Sequence, residues 1–104
     1  MILLIGLNIF KGSEPTTSYT LATLAQELKI NNISFEILDI DLSKTDESKE
    51  FQYIFSEIDK VDLYKFRFVG ISVFVWNEKF INPVVNYLIK INRSLKIILG
   101  GPQI

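Results

Sequence analysis

The eleven residues Phe66, Arg67, Phe68, Val69, Gly70, Ile71, Ser72, Val73, Phe74, Val75 and Trp76 decide how this chain folds. From Phe68 onward the run is nearly continuous in β-branched, aromatic and other apolar residues. A strand with one wet face alternates; a strand covered on both faces has no polar side to alternate with. Helix is disfavoured because Val, Ile and Phe lose rotamer freedom there, and Gly70 weakens it further. The run stops at Asn77, a residue suited to helix N-caps and turns. A buried strand that ends in a Trp-Asn corner and feeds a helix can lay its loop over a ligand. As a purely structural element, Trp76 would cap the core.

A second two-sided apolar run opens the chain, Met1 to Leu7, and reads as another central strand. Asn8 to Thr17 follows with Gly12, Ser13 and Pro15 as breakers, and Thr16, Thr17 or Ser18 can cap a helix. Leu21, Leu24, Ala25 and Leu28 then recur at the spacing of an amphipathic helix, which should close at Asn31-Asn32, since Asn tolerates the left-handed conformation. Ile33 to Ile40 is a more mixed strand, suited to a sheet edge. Asp41 to Ser48 reads as an acidic solvated loop with Asp46 as a helix cap. Phe51, Ile54, Phe55 and Ile58 repeat the helical spacing, and Val61 and Leu63 extend that apolar face.

Ile81, Val84, Val85 and Leu88 give the helical spacing a third time. Pro83 leaves two starts, Asn77 with a bend at the proline or Pro83 itself as first helical residue; the first is preferred. Leu95 to Leu99 is a fourth strand, and Gly100-Gly101-Pro102 turns sharply.

The order βαβαβαβ with short connections implies α/β: a parallel sheet with right-handed crossovers and helices on both faces. With the two most apolar strands central, the strand order is 2-1-3-4, the opening of a flavodoxin-like sheet. Such sheets continue to a fifth strand. Residues 1–104 therefore read as one domain missing that strand, a C-terminally truncated fragment of a longer protein.

Composition narrows the chemistry. The chain has 104 residues, 48% of them hydrophobic, and a net charge of −1 with no basic cluster, which argues against nucleic acid as partner. It has no Cys, so it can form neither a disulfide nor a thiolate-held metal or iron–sulfur site of its own. It has no His, the commonest general base. The apolar opening is too short to span a membrane and lacks the flanks of a signal sequence, so no membrane partner and a cytoplasmic location are the default expectations.

In an open parallel sheet, ligands bind beyond the carboxyl ends of the strands where the strand order reverses. Three loops meet there: Asn8 to Thr17, Val75 to Asn77, and Gly100 to Gln103. Their polar residues (Asn8, Lys11, Ser13, Glu14, Asn77, Glu78 and Gln103 among them) form no catalytic set, so no catalytic residue is assigned. Paired glycines after a buried strand let the backbone approach a ligand. A phospho-receiver would carry acidic residues after the first strand and Asp after the third; this chain has Asn8 and Val75-Trp76-Asn77. A Rossmann Gly-x-Gly-x-x-Gly is absent. The Ser/Thr-rich stretch Ser13 to Ser18 has the composition of a flavin-phosphate loop without its motif, which keeps a flavin- or nucleotide-binding domain as an alternative. A degenerate assembly domain is a third.

Three segments, Ile2-Leu3-Leu4-Ile5-Gly6-Leu7-Asn8, Val69 through Asn77, and Ile97-Ile98-Leu99-Gly100-Gly101-Pro102, resemble the N-terminal cobalamin-binding domain of cobalamin-dependent radical S-adenosylmethionine enzymes. The Ser-x-x-x-Trp-Asn ending and the Gly-Gly-Pro are the most specific pieces. The resemblance implies cobalamin as cofactor and a module not catalytic alone. It implies that Asn8, Ile9, Phe10, Gly12, Phe74, Val75, Trp76, Asn77, Gly100, Gly101 and Pro102 face the corrin and its nucleotide tail. It further implies a partner barrel in the parent, holding an iron–sulfur cluster on a Cys-x-x-x-Cys-x-x-Cys motif together with S-adenosylmethionine. Other cobalamin domains carry Asp-x-His-x-x-Gly, whose His ligates cobalt. Here Phe10 stands where that His would, as in many of the radical enzymes. A fragment lacking the fifth strand is expected to bind cobalamin more weakly than micromolar, and to dimerise through its fourth strand.

Overall fold

The computed structural model describes residues 1–8, 19–72 and 78–100. Four parallel strands, β1 (Ile2–Asn8), β2 (Phe35–Asp41), β3 (Phe68–Ser72) and β4 (Lys96–Gly100), form one sheet in the order β2-β1-β3-β4. Three helices connect them: α1 (Tyr19–Ile30), α2 (Glu50–Asp59) and α3 (Glu78–Ile91). Among the described residues, no helix is long and apolar enough to cross a membrane.

The two apolar runs lie at the centre of the sheet. Leu3, Ile5 and Leu7 of β1 and Val69 and Ile71 of β3 are at most 2% exposed. Alternation puts these five on one face, where they join Ile40 of β2, Ile54 and Ile58 of α2, and Phe80, Ile81, Val84 and Leu88 of α3 in a single cluster. Right-handed crossovers account for the arrangement. The connections through α2 and α3 both run toward β4 and place their helices on this face; the connection through α1 runs the other way and places its helix on the opposite face. Leu4 is 1% exposed, yet it stands outside the cluster, on that second face.

The seam between α2 and α3 is aromatic. Phe51 meets Phe80 edge-on at 5.1 Å between ring centroids, and Phe55 stacks on Tyr87 at 4.3 Å. Offset or edge-on ring pairs add roughly 1 kcal/mol beyond their buried area. Lys79 reaches Glu50 across the same seam at 3.8 Å.

α1 closes as its two asparagines predict. Asn32 is left-handed at φ 57. Its N–H bonds to the Lys29 carbonyl, and the Ile33 N–H bonds to the Leu28 carbonyl. These are the two reverse bonds of a Schellman motif, which occupy carbonyls the helix end leaves unpartnered. The apolar stripe of α1 is less buried than its spacing implies: Leu24 is 42% exposed, and Ala25 and Leu28 are half-buried.

Several boundaries differ from expectation. β2 begins at Phe35 instead of Ile33, and β4 begins one residue later than Leu95, which is itself buried below the sheet. Asp41 to Ser48 is not a plain solvated loop but two 3₁₀ turns, 42–44 and 47–49, with Leu42 buried. The capping aspartate is Asp41, which accepts from the N–H of Ser43 at 3.0 Å and from its hydroxyl at 2.6 Å; Asp46 makes no side-chain cap. α2 ends at Asp59, so Leu63 reaches the core from a separate 3₁₀ turn, 63–65, capped by Asp62. Phe66 is the C-cap of that turn and precedes β3. Helix α3 begins at Glu78 and runs through Pro83, which excludes Pro83 as its first residue; Asn77 lies outside the described residues. The strand expected to run on to Trp76 is described as far as Ser72.

Candidate functional site at the carboxyl ends of the strands

The strand order reverses between β1 and β3, so the place where such sheets hold a ligand is beyond Asn8, Ser72 and the two flanking strand ends. The register builds this end row by row. Asn8 is the partner of Asp41 on β2, and Gly6 of Asp39. Ile5 is the partner of Ile71, which sets Gly6 beside Ser72 one step further along, and Ser72 is the partner of Gly100. Three neighbouring strands thus carry Gly, Ser and Gly in one row, on the same face as α1.

Gly6 and Ser72 are buried in that row, and Gly100 is exposed at its end. A Cβ added at Gly100 would meet nothing within 4 Å, so the space above it is open. One row further down, a Cβ at Gly70 would come within 3.2 Å of Cδ2 of Leu4, so the sheet there is already filled by its own side chain. Ser72 is 6% exposed. On the β2 side the row ends in Asp39, half-buried, and beyond it Asp41 is committed to the turn at Ser43. Tyr53 on α2 titrates above the ordinary phenol value, first because of burial, then through its hydrogen bond to Glu57 and the nearby carboxylates of Glu57 and Asp41. Among the described residues, no three His, Cys, Asp or Glu side chains converge to hold a metal ion.

Of the residues that the sequence assigns to the site, Asn8 and Gly100 are described, at the carboxyl ends of β1 and β4 with β3 between them. Ile9, Phe10, Gly12, Phe74, Val75, Trp76, Asn77, Gly101 and Pro102 lie outside the described residues. Gly6 and Ser72 are additions. Both sit in the matched segments, yet only the strand register shows that they share a row with Gly100. Period-two counting back from Asn8 and forward from Gly70 is the signal that finds them.

These features define the class: a flavodoxin-like α/β domain of four parallel strands, with its switch point between β1 and β3. Set against protein-family models, curated proteins and solved structures, the chain shows no match.

Proposed function

We propose that this domain is a cobalamin-binding module of a radical S-adenosylmethionine enzyme, not catalytic alone. The observation that carries the reading is the row Gly6, Ser72 and Gly100. Small residues on three adjacent strands let other groups approach the backbone closely, and at Gly100, the exposed end of the row, the space above the sheet is open to a ligand tail. The open space above Gly100 fits such a group, and any larger side chain there would fill it. In this reading the tail lies over Gly100, at the exposed end of the row that Gly6 and Ser72 continue beneath the surface, and the residues after Asn8, Ser72 and Gly100 hold the corrin. The cofactor supplies the cobalt chemistry; the chain holds and orients it. With no His and no Cys, it offers neither imidazole nor thiolate to cobalt.

Equilibrium dialysis against hydroxocobalamin and against FMN tests the proposal. Retention of hydroxocobalamin and not FMN is expected, and Gly100→Phe is expected to abolish it while circular dichroism stays unchanged. Retention of FMN alone, or cobalamin binding indifferent to Gly100→Phe, overturns it.

We also propose that two copies pair antiparallel along the outer edge of β4. A two-fold axis at Ile98 sets Ile97 opposite Leu99 and Lys96 opposite Gly100, so no like charges meet. Ile98 and Leu99 are 56% and 37% exposed on that strand.

A further inference from the structure

The other end of the sheet holds a surface cavity of about 330 Å³, lined among others by Tyr64, Arg67, Phe68, Ser94 and Lys96. It lies below the amino ends of β3 and β4, away from the Gly6–Ser72–Gly100 row. Its size is at the small end of ligand sites, which run from about 300 Å³ upward.

Its frame is fixed by hydrogen bonds. The Tyr64 hydroxyl donates to the Ile91 carbonyl at 2.9 Å, and the Tyr64 N–H bonds to Asp62 at 3.1 Å. Asn92, buried at the back, donates from Nδ2 to the Leu63 carbonyl and accepts from the Ser94 N–H, both at 3.1 Å. The Lys96 N–H bonds to the Arg67 carbonyl at 2.9 Å, joining the two cationic residues through the backbone. The Ile91 and Leu63 carbonyls are therefore already partnered.

What the frame leaves over is chemically specific. The cavity wall contains Arg67 and Lys96 and no carboxylate. Among the described residues neither cation has an ion pair, whereas the neighbouring Lys65 is held by Glu36 at 3.1 Å. Two cationic residues and no acidic one thus line the cavity of a chain whose net charge is −1. Beside them Tyr64 is 74% exposed although its hydroxyl is tethered to the Ile91 carbonyl, so its ring is held at the surface, and Phe68 is 36% exposed. Two cations and a serine hydroxyl match a phosphate; an anchored aromatic face matches a flat ring.

We infer that this cavity is a second binding site, for a small aromatic or heterocyclic monophosphate of mononucleotide size. The phosphate meets Arg67, Lys96 and the Ser94 hydroxyl, and the ring lies against Tyr64. A solvated basic surface would attract any anion equally; this site requires both halves of one molecule.

Titration of the full chain with adenosine monophosphate, followed by nitrogen–proton correlation NMR, tests it. Amides of residues 64–68 and 92–96 are expected to move, with those of Ser72 and Gly100 unmoved. Adenosine and inorganic phosphate are each expected to bind at least about tenfold more weakly. The double variant Arg67→Ala, Lys96→Ala should lose that preference for the phosphorylated ligand, and Tyr64→Ala should lose the preference over inorganic phosphate. Arg67 and Lys96 are exposed, so circular dichroism should be unchanged; if it is not, the milder Arg67→Gln must still weaken binding. No movement at millimolar ligand, equal binding of adenosine or of inorganic phosphate, or affinity indifferent to these substitutions overturns the inference.

Discussion

Tyr87 illustrates how one residue couples two helices. Its ring stacks on Phe55 of α2, and its hydroxyl donates to the Asp59 carboxylate at the end of the same helix. That hydrogen bond, with a smaller contribution from burial, raises the phenol above its usual value near 10. The sign of the linkage follows: the proton is held more tightly in the folded state than in the unfolded one. The stabilisation is fully present below the unfolded value and is lost as pH rises through the folded one. Monitored by phenolate absorbance, Asp59→Ala should bring one tyrosine back toward 10. Tyr53, raised mainly by its own burial, should not move. An unchanged titration curve in Asp59→Ala would contradict the assignment. Asn32 shows the same economy at backbone level, since its left-handed φ is what lets Leu28 and Lys29 find donors at the end of α1.

At the scale of elements, the turn between α3 and β4 is held by one buried side chain. Asn92 is 8% exposed and ties this turn to the 63–65 turn through the Leu63 carbonyl. The link fixes where β3 and β4 both begin, because Leu95, Lys96 and Phe66 follow directly from the two tied turns. Removing it leaves the Leu63 carbonyl only the longer bond from the Phe66 N–H at 3.3 Å and takes the acceptor from the Ser94 N–H, so Asn92→Ala should destabilise by about 1–3 kcal/mol in urea denaturation. Asn92→Asp should cost more, since a carboxylate would then face that carbonyl. A cost below ~0.5 kcal/mol for both would show that water replaces the bond. The pairing of α2 with α3 rests on apolar side chains and rings, and the opposite face of the sheet carries only the half-buried stripe of α1 among the described residues.

For the whole molecule, the two edges of the sheet differ. β2 bears Glu36, Asp39 and Asp41, charges that discourage further strand pairing. β4 bears only Lys96 before Ile97, Ile98 and Leu99. The antiparallel pairing proposed above uses this difference, joining β4 to β4 and leaving both β2 edges outward. Size exclusion with light scattering at micromolar concentration should give twice the chain mass of 12.0 kDa, and Ile98→Lys should return it to the monomer. A monomer in the unsubstituted chain would rule the pairing out.

The β/α order, the central place of the two apolar runs and the strand order 2-1-3-4 were legible in the residues. Each depends on patterns local to a segment: two-sided hydrophobicity in β1 and β3, three helical stripes, and Asn31-Asn32 as a stop. The tendency of consecutive strands to be neighbours then selected the order, and crossover handedness the face of each helix. Asn8 and Gly100 read as the first residues of the loops after β1 and β4, and the structure makes them the last residues of those strands. Other features required partners distant in the chain. That Asp41 and not Asp46 caps a turn depends on where the backbone of Ser43 lies. Leu24 is exposed because a helical stripe records which residues can be buried, not how much surface arrives to cover them. The small-residue row joins three strands separated by dozens of residues, and the cationic cavity joins a turn, a helix end and two strand starts. Periodicity cannot express such meetings, because register and the packing of turns are set only when the strands pair.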